Sequence, residues 1–78
     1  MTRNEFVELI DAGNDIMFDC RGKHYAIVMT EFGPDIAEQI TCANRRAYKD
    51  GRDLLDDYLI DGVTLGNLAS QCRVTFCS

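Results

Sequence analysis

The sequence predicts an α+β fold: an antiparallel sheet of three to four strands, with an N-terminal helix and a C-terminal helical pair packed on one face. Three observations predict it. Apolar residues recur at helical spacing at Phe6, Val7, Leu9 and Ile10, and again from Leu54 to Cys72. Between these stretches, Ile16 to Thr30 alternates with period two around Arg21-Gly22. The chain has 78 residues, which suits a single small domain (1–78) with a thin core, because a chain of this size buries only about 60% of its unfolded surface.

Thr2 opens the first helix. Thr2-x-x-Glu5 is a capping box, in which hydroxyl and carboxylate each satisfy a backbone N–H. Phe6, Val7, Leu9 and Ile10 form its apolar stripe, while Glu5, Glu8 and Asp11 face water. Gly13-Asn14 stops it, since both residues tolerate the left-handed conformation. A hairpin follows. Ile16, Phe18 and Cys20 share one face of its first strand, and Tyr25, Ile27 and Met29 share one face of its second. The opposite face carries Met17, Asp19, His24, Ala26, Val28 and Thr30 and is only mildly polar, so a partner, such as a second copy of the chain, is expected to cover it.

Glu31 to Asp35 reads as a loop containing the one proline, Pro34. Ile36 to Tyr48 supports two periods. As a helix it would start near Pro34 with Ile36, Ala37, Ile40, Ala43, Ala47 and Tyr48 as a stripe. As a strand, Ile36, Glu38, Ile40 and Cys42 alternate with Ala37, Gln39 and Thr41. Helix propensity favours the first. The second is preferred for Ile36 to Thr41, because a third strand turns a marginal hairpin into a platform for the helices. Asn44 to Gly51 is then a loop.

Asp53 to Leu68 is the densest apolar segment. Leu54, Leu55, Tyr58 and Leu59 fall on one side of a short helix and Asp53, Asp56 and Asp57 on the other. Asp61-Gly62 interrupts the run. Thr64 caps a second helix with Leu65, Leu68, Ala69 and Cys72 inward. Arg73 to Cys77 alternates again and predicts an edge strand.

Two of these stretches, Gly22-Lys23-His24-Tyr25-Ala26-Ile27 and Asp53 to Gly62 with Leu65 following, resemble a class of small uncharacterised bacterial proteins from gut Gram-positive bacteria and their mobile elements. That class shares an opening helix, a Gly-Lys-x-Tyr-x-Ile hairpin and a Leu-Leu-x-x-Tyr-x-Ile-Asp-Gly segment. The resemblance covers most of the chain and rests on fold-determining residues. It implies an α+β fold and the strand reading of Ile36 to Thr41. No activity attaches to the class, so it carries no functional residue over.

Composition narrows the function classes. The net charge of −5 favours solubility and opposes nonspecific binding to nucleic acid or anionic lipid. No apolar run approaches the ~18 residues of a membrane span, and the opening residues do not read as a signal peptide. A cytoplasmic protein is the expectation. The four cysteines, Cys20, Cys42, Cys72 and Cys77, form no Cys-x-x-Cys pair, and His24 is the one histidine, so reduced, mostly buried thiols are expected and no metal or other cofactor. Asp53, Asp56, Asp57 and Asp61 lack the alternating oxygens and distal carboxylate of a calcium loop. They read as a solvated helix face.

The candidate binding residues are Arg45, Arg46, Tyr48 and Lys49, with Arg52 beyond them. Cations around an aromatic can hold a phosphate backbone and stack a base. The adjoining acidic run offers the simpler alternative, that the two runs attract each other at the surface. The expected function is therefore a non-catalytic protein-binding or regulatory accessory. Two other readings stand beside it: an acidic inhibitor that mimics nucleic acid, and a weak RNA or DNA binder through Arg45 to Arg52. No histidine-activated nucleophile or phosphate loop supports an enzyme.

Overall fold

The computed structural model describes residues 1–78. The capping box forms: the Glu5 N–H donates to Thr2 Oγ1 and the Thr2 N–H donates to Glu5 Oε1. These bonds, the backbone one first, hold the Glu5 carboxyl below the usual carboxylate range. Helix α1 runs Arg3–Asp11 and buries Phe6 and Ile10.

Strands β1 (Ile16–Cys20) and β2 (Lys23–Thr30) pair around a two-residue turn in which Arg21 (φ 50°) and Gly22 (φ 77°) are both left-handed. That geometry matches the natural twist of a hairpin. β3 (Gly33–Glu38) pairs with β2, β4 (Arg46–Ala47) pairs with β3, and β7 (Arg73–Cys77) pairs with β1. The result is a five-stranded antiparallel sheet in the order β4-β3-β2-β1-β7. Between β4 and β7 the chain forms α2 (Gly51–Asp57), the small hairpin β5 (Leu59–Ile60) and β6 (Val63–Thr64), α3 (Leu65–Leu68) and a 3₁₀ turn (Ala69–Gln71).

The helices lie on one face of the sheet only. Phe6, Ile10, Leu54, Leu55, Leu65 and Leu68 meet Ile16, Phe18, Tyr25, Ile27 and Ile36 in one buried cluster. A chain of aromatic contacts runs through it, Phe6 to Phe18 (5.3 Å), Phe18 to Tyr25 (5.4 Å) and Tyr25 to Tyr58 (6.2 Å). Such contacts add about 0.5–1.5 kcal/mol each beyond area burial. α2 approaches α1 closely because Gly51 has no side chain. A Cβ there would lie 3.1 Å from Ile10 Cβ.

Several boundaries differ from expectation. The third strand begins at Gly33 and ends at Glu38, so Gly33 to Asp35 is strand and Gln39 to Thr41 is not. Pro34 is tolerated because its carbonyl accepts from Tyr48 N–H, on the side away from β2. Its missing N–H faces the same way and costs the β2 ladder nothing. The stretch expected as a loop after Asn44 supplies the fifth strand, β4, and the first residue of α2. α2 starts two residues early because Asp50 caps it, accepting from the Asp53 N–H. It ends at Asp57, with Tyr58 already extended as its C-cap, which leaves Leu59 outside the apolar stripe and exposed. Thr64 precedes α3 but its hydroxyl makes no capping bond. Only Cys20 and Cys72 are buried, whereas Cys42 and Cys77 are exposed.

Candidate functional site

The alternation of β1 and β2 places two sets of side chains on opposite faces. The inward set is core. The outward set has no helix over it. Phe76, Met17, Ala26 and Ala37 are successive register partners across β7, β1, β2 and β3. They form an apolar row on that open face, with Val28 beside it. Met17 is 42% exposed and Val28 and Phe76 are each 50% exposed. Met17, Ala26, Val28 and Ala37 line a trough of about 440 Å³, together with Ile40 and Arg45.

Ile40 is the most exposed large apolar residue, at 98%. It is β-branched and left-handed, with φ 71°, a conformation that costs such residues about 1–3 kcal/mol. Its loop is held in place around it. The Gln39 side chain donates to Tyr25 O (2.8 Å), the Glu38 N–H donates to Ala43 O and the Cys42 N–H to Glu38 O, each at 3.0 Å. The Ile40 side chain therefore stands out from a fixed base at the rim of the trough.

Of the four residues singled out from sequence, Arg46 and Tyr48 share a small pocket and both reach Asp57 Oδ2, whereas Arg45 lies elsewhere. Arg45 lies on the trough side and pairs with Asp35. Arg46 is opposite Ile36 in register, on the other side of the sheet, and pairs with Asp57 at 3.6 Å. Tyr48 packs against the core and its hydroxyl donates to Asp57 Oδ2 at 2.8 Å. Burial, then the bond to Asp57, pushes this phenol up to about 12. Lys49 pairs with Asp53 at 3.4 Å.

The acidic run is neutralised in the same way. Asp53, Asp56, Asp57 and Asp61 each have a basic partner: Lys49, Arg3, Arg46 and Arg21. The opposed runs thus spend their charge on each other and on the ends of α1 and the β1–β2 turn. These exposed pairs contribute about 0–1 kcal/mol each.

His24 lies on the open face, with Nδ1 2.5 Å from Asp19 Oδ1. The buried thiols of Cys20 and Cys72 belong to the opposite, core side. The sheet therefore separates the imidazole from these two buried thiols. No helix is long and apolar enough to cross a membrane.

Sequence reasoning found Ala26 and Val28 as a half-apolar face and missed Phe76 and Ile40 as parts of it. The signal for Phe76 was the alternation of Arg73 to Cys77. Ile40 gave none, because its exposure is set by a loop held through distant hydrogen bonds. No family model matches the chain, and no curated protein or solved structure does either.

Proposed function

We propose that the protein is a non-catalytic protein-binding accessory, and that the open sheet face is its contact surface. The observation that carries this reading is the unbroken row Phe76–Met17–Ala26–Ala37, flanked by Val28 and the raised Ile40. Apolar side chains gathered on one surface beside a trough and bordered by a charged pair have the make-up of an interface core with its polar rim. Here the rim is the Arg45–Asp35 pair. Ile40 has the character of an anchor, an exposed apolar side chain on a loop backbone held in place before binding, so little backbone ordering entropy is lost on contact.

The pairing of Arg46 and Lys49 with Asp57 and Asp53 supports protein over nucleic acid as the ligand. The test is affinity capture from the source cell with the wild-type protein and with the double variant Met17→Lys/Val28→Lys. Both positions are exposed, so the variant should fold. The reading expects specific proteins retained by the wild type and lost from the variant. Identical profiles would overturn it.

A further inference from the structure

We propose that Cys20 and Cys72 form a built disulfide site, a dithiol between the end of β1 and the residue that precedes β7, which closes to one S–S bond when the protein meets hydrogen peroxide. Neither thiol takes part in the open face. β1 and β7 run antiparallel with Asp19 opposite Arg73, the first residue of β7, and the same register continued by one residue would set Cys20 opposite Cys72, which immediately precedes the strand. Directly opposed residues of antiparallel strands have Cα atoms about 4.5–5.5 Å apart, inside the roughly 4.4–6.8 Å range a disulfide spans. Both side chains turn to the same side, since both belong to the buried core cluster. The Cys72 thiol donates to Leu68 O at 3.3 Å, and, after burial, the Cys20 thiol is close enough to help push its pKa up. The exposed thiols, Cys42 and Cys77, have no such placement.

The chemistry balances. Cys72, at 8% exposed against 1% for Cys20, is the less buried of the two residues, and its sulfur is assigned to react first. Its thiolate attacks one peroxide oxygen and the O–O bond breaks. The departing oxygen leaves as water and Cys72 becomes a sulfenic acid. The Cys20 thiolate then attacks the Cys72 sulfur, the S–O bond breaks, and a second water leaves. Two thiols have lost two electrons and two protons, and one peroxide has become two waters.

Burial, then the contact with Cys20, pushes the Cys72 thiol up to about 12, so thiolate is scarce while β7 is seated. The reaction therefore passes through opening of β7, an edge strand whose residues other than Val74 are exposed. Edge elements open at less than the global unfolding free energy. Once closed, the bond ties the strand to β1 across a loop of about 50 residues, which shifts the unfolding equilibrium about a thousand-fold toward the native state.

The test uses the full chain carrying Cys42→Ser and Cys77→Ser, which leaves only the buried pair. It is treated with hydrogen peroxide in buffer and in urea just below the unfolding midpoint, then analysed by mass spectrometry and by thiol titration after denaturation. The expected product is monomeric and lighter by about 2 Da. It has no titratable thiol, carries a peptide link from Cys20 to Cys72, shows a native circular dichroism spectrum and a higher Tm, and is reversed by dithiothreitol. Adding Cys20→Ser should abolish the link and leave Cys72 to form sulfinic acid or dimers. Two thiols that survive both conditions would overturn the proposal. So would separate oxidation of the two sulfurs, or a linked product with unchanged or lowered Tm.

Discussion

Met17 stands opposite Phe76 across the β1–β7 boundary, on the side of the sheet that the helices leave open. The register that puts them there also buries Ile16 and Phe18 on the other side, because alternate residues of a strand face opposite ways. The outer pair cannot be withdrawn from water without exposing the inner one. Met17→Lys and Phe76→Lys should each cost under about 1 kcal/mol, the scale of a lost cross-strand pair. Phe18→Ala, one residue along from Met17, should cost about 3–5 kcal/mol. Urea melts of the three variants check this contrast.

Gly33 should not tolerate a side chain. Its φ is 125°, and an added Cβ would lie 2.2 Å from the Tyr48 carbonyl oxygen and 2.8 Å from that of Lys49. Both atoms are backbone of the segment that carries β4 into α2, so relief means moving that segment. Gly33→Ala should destabilise by about 3 kcal/mol or more. Gly22→Ala, with φ 77° and open space around it, should lose only about 1–2 kcal/mol. Equal losses in denaturant titrations would contradict this packing.

The tyrosines should not ionise where free tyrosine does. Burial first raises both Tyr25 and Tyr48 from 10.0 to about 12, and it also raises Tyr58. A raised phenol favours the neutral form in the folded state. The stabilisation is complete below the unfolded value near 10 and is lost as pH climbs through the folded values. Absorbance at 295 nm should therefore rise late, together with the loss of native circular dichroism. One phenol titrating alone near pH 10 in folded protein would show an exposed ring instead.

The charge runs on either side of Arg52 should matter little to either stability or nucleic acid. Arg46→Ala and Lys49→Ala each remove an exposed pair and should change stability by less than about 1 kcal/mol. Tyr48→Phe removes the hydroxyl bond to Asp57 and should cost about 0.5–1.5 kcal/mol. The wild-type protein should leave a labelled single-stranded RNA unshifted in a low-salt gel, the condition that most favours phosphate contacts.

Where structure was locally encoded, it was legible. Thr2 and Glu5 announced α1, Arg21-Gly22 announced the hairpin turn, and the alternation of Ile16 to Met29 sorted core from open face. β4 was not legible, because two residues carry no period and Arg46-Ala47 becomes strand only by pairing with Asp35 and Ile36. The start of β3 was obscured by Pro34, whose missing donor reads as a loop until the direction of its carbonyl is known. The candidate surface was half legible. Val28 declared itself by alternation, whereas the separation of Arg45 from Arg46 depends on which face of β3 each one meets.

The most direct measurement is photo-crosslinking from defined positions. A benzophenone amino acid placed at Val28, on the open face, is compared with one at Glu8, exposed on α1. In source-cell lysate, Val28 should give discrete adducts, to another protein or to a second copy, that excess unlabelled protein competes away, and Glu8 should give none. Adducts from Glu8 with none from Val28 would place the contact surface on the helical side and contradict the account.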